Sequence, residues 1–152
     1  METEQYMQLA VDQAKQALCR YSKCGAVVIK DGEPIGRGYN APPRNSEDHR
    51  GSCRAELVSD KMVHDCAHCV HAEWRAISDA LRNNPDKVEG STLFFVRLDE
   101  EGNILKSEAP HCTVCSRLAL DSGIAGFALW QEDGIRSYPT GEFNRWSKEH
   151  FN

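Results

Sequence analysis

Apolar positions along this chain change period several times, and each change marks a predicted element. Residues 6–18 place Leu9, Val11, Ala14, Ala17 and Leu18 on one stripe, which predicts an amphipathic helix. Residues 25–29 are a short apolar run, Asp31-Gly32 is a turn signal, and residues 34–39 form a second extended stretch, so this region predicts a hairpin. Residues 40–68 are rich in Pro, Arg, Asp, His and Ser and keep no period, which predicts a long loop or a short irregular helical insert. A loop of that length is functional, or is held by something other than a core. Residues 71–82 run up to Asn83, Asn84 and Pro85 and predict a helix. Residues 92–98 predict a buried strand, and the DEEGN turn at 99–103 lets residues 104–106 pair back on it. A second helix is expected at 112–121, closed by Gly123, and another strand at 125–130. No element is assigned beyond Ser137, where the aromatics are expected to pack against the body. Trp130, Trp146 and Phe151 are read as packing residues, and Cys19 as a small apolar residue of the first helix.

This order of elements predicts an α/β layer fold, a mixed sheet of about five strands with helices on both faces. At 152 residues the chain fits one domain, residues 1–152, carrying a Cys/His-rich insert at 41–70. With 40% hydrophobic and 27% charged residues it has the balance of an ordinary globular protein, which excludes disordered and collagen-like classes. No apolar run approaches the roughly 20 residues of a membrane span, and METEQYMQLA has neither the basic nor the apolar part of a secretory signal. The expectation is a cytoplasmic protein with no membrane partner. Lys and Arg number 18 against 23 Asp and Glu, a net charge of −5, so duplex nucleic acid is disfavoured and a small-molecule partner favoured.

Seven cysteines is an odd count, and without an export signal it argues for metal or catalytic use rather than a disulfide framework. Four of them form two Cys-x-x-Cys pairs, Cys66 with Cys69 and Cys112 with Cys115. His71-Ala72-Glu73 stands 41 positions ahead of Cys112, with Pro110 just upstream of the second pair. His71, Cys112 and Cys115 make three ligands suited to Zn²⁺, the number a catalytic site uses when the fourth position is left for water. Cys112 and Cys115 sit three apart at a predicted helix start, so their sulfurs point the same way and the helix N-terminus favours the thiolates. Glu73 lies close enough to take a proton from the activated water without binding the metal.

The His-x-Glu and Pro-Cys-x-x-Cys pattern resembles the zinc-dependent cytidine and deoxycytidylate deaminase superfamily. The resemblance extends to residues 24–40 (CGAVVIKDGEPIGRGYN), similar to the family's opening hairpin, and to residues 71–77 (HAEWRAI), similar to its first zinc helix. It implies a three-layer cytidine deaminase-like fold and a hydrolase acting on a cyclic amidine. Zinc-activated water attacks the amidine carbon, C4 in cytosine, Glu73 moves the protons, and ammonia leaves. It also implies substrate contacts from Asn40, Ala72 and Arg75, and a homo-oligomer. In three places the chain departs from the family: His111 stands between Pro110 and Cys112, Arg75 stands where deoxycytidylate deaminases often carry Asn, and residues 97–110 add a hairpin.

The expected substrate is a free cytosine nucleotide or nucleoside, since the 30-residue loop between Asn40 and His71 is long, as in deoxycytidylate deaminases. Arg37, Arg44, Arg50, Arg54 and Arg75 surround the motifs, and one or two could clamp a 5′-phosphate. The chemistry is equally open to adenine or guanine compounds, or to a base in RNA or single-stranded DNA, although the acidic balance disfavours a polynucleotide. In the insert, Cys53, Cys66 and Cys69 could hold a second, structural zinc, the fourth ligand being His49, His64, His68 or Cys24. A non-enzymatic module with Cys66, Cys69, Cys112 and Cys115 on one zinc is the rival from another class. The 42 residues between its pairs exceed the roughly 15 to 20 usual for such modules, and it leaves His71 and Glu73 without a role.

Overall fold

The computed structural model describes residues 2–19, 22–49, 69–107 and 113–151. Within them the chain forms α1 (Thr3–Ala14), β1 (Lys23–Lys30), β2 (Glu33–Tyr39), α2 (Ala72–Asn83), β3 (Thr92–Leu98), β4 (Ile104–Leu105), α3 (Thr113–Asp121), β5 (Gly126–Gln131), β6 (Gly134–Pro139) and α4 (Thr140–Phe151). Five strands lie in the order β2-β1-β3-β5-β6, and the short β4 pairs with the end of β3. The β3–β5 pair is parallel and the others are antiparallel, which is the mixed sheet expected from the element order.

Strand alternation divides the buried side chains between two faces. Val27, Ile29, Phe94, Val96 and Ala128 pack with Met7, Ala10, Val11 and Ala14 of α1. Their neighbours Ala26, Val28, Leu93, Phe95, Phe127 and Leu129 point the other way, toward Ile77 of α2, Ala119 of α3 and Phe143 of α4. Continuous apolar runs such as AVVI and LFFV are what a strand covered on both sides requires. The result is three layers, one helix, the sheet, and three helices.

The β1–β2 turn is the predicted Asp31-Gly32, with φ of 50° and 81°, the left-handed pair that a two-residue hairpin needs. Two glycines of β2 set how closely α2 approaches. A Cβ on Gly36 would lie 2.3 Å from the Ala76 carbonyl oxygen, and one on Gly38 would lie 2.5 Å from that of Ala72. Ala72, Ala76 and Ala80 supply the matching small face of α2, all fully buried. Backbone meets backbone here, and α2 brings His71 and Glu73 down onto the end of the hairpin.

The first helix stops at Ala14, short of the expected residue 18, because the chain turns there to enter β1 and the Leu18 amide donates to the Asn40 carbonyl at 3.0 Å. Beyond residue 131 the chain forms β6 and α4, elements to which the sequence reading assigned nothing. Asp133-Gly134 is the same kind of turn signal as Asp31-Gly32 and precedes β6, whose Tyr138 is buried. Trp130 and Trp146 do pack against the two clusters, as expected. Among the described residues, no helix is long and apolar enough to cross a membrane.

Candidate active site

Three segments distant in sequence converge at the upper end of α2. His71 is the extended residue that precedes the helix, with φ −64° and ψ 146°, and Glu73 lies in its first turn. Cys115 lies in the first turn of α3. The His71 Nδ1 is 3.1 Å from the Cys115 sulfur. One ligand atom from each of His71, Glu73 and Cys115 falls within 4.8 Å of the others, the one such cluster of metal-binding side chains among the described residues. Cys115 is fully buried and Glu73 is 5% exposed.

This donor set fits zinc. Bonds of about 2.1 Å to nitrogen and 2.3 Å to sulfur at a tetrahedral angle put those atoms ~3.6 Å apart, half an ångström from the separation seen. His71 and Cys115 offer the nitrogen and sulfur donors that zinc takes, with the Glu73 carboxylate buried beside them. Cys112, the third ligand expected from the sequence, lies outside the described residues, as do Pro110 and His111.

The residues around this cluster have defined partners. Asn40 is buried, and its side chain joins the ends of the strand pair: Oδ1 accepts from the Cys24 amide at 2.9 Å, and Nδ2 donates to the Ser22 carbonyl at 2.7 Å. Arg75 donates from Nη1 to the Tyr39 carbonyl at 3.3 Å, and its guanidinium sits 4.9 Å from the centre of the Tyr39 ring. Asn45 donates to the Tyr39 hydroxyl at 2.9 Å. Ala72 is fully buried, its carbonyl against Gly38. Asn40, Ala72 and Arg75 therefore all lie at the junction of β2 and α2, beside His71 and Glu73. Arg37 and Arg44 lie in β2 and in the turn that follows it.

Two residues near the cluster have surroundings the sequence reading did not foresee. Burial first, and the nearby Glu73 carboxylate second, push the Cys24 thiol up to about 12. Trp74 stacks on His71, with ring centres 4.8 Å apart and planes 16° from parallel. Cys24 opens an apolar strand and Trp74 stands one position after Glu73, yet only the assembled fold shows what either residue touches.

An antiparallel bridge between Ala41 and Val70 closes the base of the Cys/His-rich insert, with hydrogen bonds of 2.7 and 3.3 Å. The insert thus leaves and rejoins the fold next to Asn40 and His71. Of the residues considered for a second zinc, Cys69 is half-buried beside that bridge and His49 is exposed in a short turn. Cys53, Cys66, His64 and His68 lie outside the described residues, with Arg50 and Arg54.

Residues 1–129 match the profile of the cytidine and deoxycytidylate deaminase zinc-binding region. The chain is 31% identical over 128 residues to the deoxycytidylate deaminase of Mycobacterium phage D29, covering 80% of this chain and 88% of that protein. It is 26% identical over 122 residues to the deoxycytidylate deaminase of Saccharomyces cerevisiae, covering 79% of this chain but only 34% of the yeast protein. Among solved structures it is similar to the dCMP deaminase of cyanophage S-TIM5 in complex with dCMP and dUMP, with a TM-score of 0.57 and 25% identity over 82% of this chain and 76% of that one. The profile match runs through both segments that supply the metal-binding cluster, and the chain belongs to the cytidine and deoxycytidylate deaminase family of zinc-dependent enzymes.

Proposed function

We propose that this protein deaminates a free cytosine nucleotide by hydrolysis, releasing ammonia and leaving the uracil product. The observation that carries the reading is a carboxylate, Glu73, buried within 4.8 Å of the His71 nitrogen and the Cys115 sulfur. His71, Cys112 and Cys115 would hold Zn²⁺, which when bound lowers the pKa of water toward about 7 and makes it nucleophilic at neutral pH.

Glu73 moves the protons. Its carboxylate oxygen takes one from the attacking water, and the resulting acid delivers it to the ring nitrogen N3 as C4 becomes tetrahedral. A second transfer through the same oxygen goes to the exocyclic amine, which departs as ammonia while the C4 carbonyl forms. Water supplies the oxygen and two hydrogens, so atoms balance with no further reactant. Positioned acid–base groups of this kind contribute about 10²- to 10⁴-fold. Burial keeps bulk water from exchanging those protons during turnover.

By the family resemblance Asn40 and Ala72, at the junction of β2 and α2, would orient the base. For the 5′-phosphate, Arg75, Arg37 and Arg44 are the candidate guanidinium groups from α2, β2 and the turn after it, a chemistry suited to paired hydrogen bonds with phosphate oxygens. Similarity to proteins named deoxycytidylate deaminase supports a nucleotide over a nucleoside for this chain.

Ammonia release across cytosine, adenine and guanine compounds, each as base, nucleoside and 5′-nucleotide, tests this reading. The expected order is cytosine nucleotide, then cytosine nucleoside, with no purine turnover. Activity confined to purines or to polynucleotides would refute the cytosine assignment.

A further inference from the structure

We propose that Trp74 is a positioning residue of the metal site, its indole face holding the His71 imidazole in the plane that lets Nδ1 meet Cys115. The inference rests on the zinc reading of the His71, Glu73 and Cys115 cluster. His71 immediately precedes α2, and Trp74 lies three residues on, so the two share one face of the first turn. Long side chains on a helix lean toward its N-terminus, and Trp74 accordingly covers His71. The rings lie 4.8 Å apart and 16° from parallel, close enough for each to restrict the other's rotation.

Two contacts on different sides divide the work. The Trp74 face sets the plane of the imidazole, and Cys115, at 3.1 Å from Nδ1, sets which edge points inward. The Trp74 Nε1 is buried and has no hydrogen-bond partner among the described residues. Buried indole N–H groups ordinarily have an acceptor. The contact the structure shows for this tryptophan is through its ring face, on His71. A metal ligand held in orientation before the ion arrives loses less freedom on binding, and affinity rises.

The test uses the full chain, stripped of metal and reloaded with Zn²⁺ against a chromophoric chelator, or with Co²⁺ for its visible absorption. Trp74→Phe keeps a ring face and should hold Zn²⁺ as tightly as the parent. Trp74→Leu should bind it roughly three- to tenfold more weakly, the worth of one aromatic pair, with an altered Co²⁺ spectrum. A separate measurement needs no loss of the face. Zn²⁺ should change the tryptophan fluorescence of the parent chain, and that change should vanish in Trp74→Phe although Trp130 and Trp146 remain. If Trp74→Leu does not fold, the fluorescence result decides alone. A Trp74→Leu protein with parental Zn²⁺ affinity, even at lower thermal stability, overturns the positioning role, as does fluorescence indifferent to bound Zn²⁺. A parent chain that takes up no Zn²⁺ overturns the metal reading together with this one.

Discussion

Glu73 is only 5% exposed, and its value to the reaction depends on its being an acid. Replacing it by Gln keeps the shape and removes the mobile proton. Glu73→Gln should therefore fold and retain zinc, measured by elemental analysis, while kcat falls by at least about a hundredfold. A variant within tenfold of the parent would remove Glu73 from the proton path. Cys24 allows a second test at this scale. Its thiol is pushed up to about 12 by burial first and by Glu73 second, from an ordinary value of 9.0. The stability this gives is complete below the unfolded thiol's value and is lost as pH rises through about 12. At pH 8 native Cys24 stays protonated, so iodoacetamide should label it more slowly than in the urea-unfolded chain, as mapped by peptide mass spectrometry. Equal labelling rates would contradict a thiol held above its ordinary value.

At the scale of elements, the approach of α2 to β2 depends on two missing side chains. Gly38→Ala would put a Cβ 2.5 Å from the Ala72 oxygen and the Ala76 nitrogen, backbone atoms that can give way only if the helix moves. The expected cost is about 1–3 kcal/mol, together with reduced activity because α2 carries His71 and Glu73. Gly141→Ala is the control: a Cβ there meets nothing within 4 Å, and a helical alanine should leave melting temperature unchanged or slightly raised. Helix α3 is held from behind. Ser116, next to Cys115 and fully buried, donates to the Asn144 side-chain oxygen of α4 at 2.7 Å. Ser116→Ala should lower stability by about 1–3 kcal/mol, read from urea unfolding. No shift in the midpoint would mean that α4 does not anchor the helix carrying Cys115.

For the molecule as a whole, metal and fold should be coupled. Ligands drawn from α2 and α3 and held on one ion join segments that are 44 residues apart in sequence between His71 and Cys115. Zinc at a thousand times its dissociation constant adds about 4 kcal/mol to any state that binds it exclusively, so the melting temperature should rise on loading and fall with chelator. Metal-independent melting would count against a site built from these side chains.

The sequence by itself pointed to the family and to much of the framework. His71, Glu73 and Cys115, which the fold brings together, were legible because His-x-Glu and Cys-x-x-Cys put metal-binding residue types at short spacings within each motif. The β1–β2 hairpin and β3 were legible because the left-handed turn and the buried runs are local properties. Weaker local signals were missed: β6 carries little apolar alternation, and the aromatics of α4 read as tail packing. The tertiary structure alone decided that Ala41 and Val70 close the insert beside the site, that Asn40 ties Ser22 to Cys24, and that Cys24 lies near Glu73. The last of these depends on the depth at which α2 settles on the twisted sheet. That depth follows from Gly36 and Gly38 meeting Ala72, Ala76 and Ala80, a fit between surfaces that no periodicity within either segment specifies.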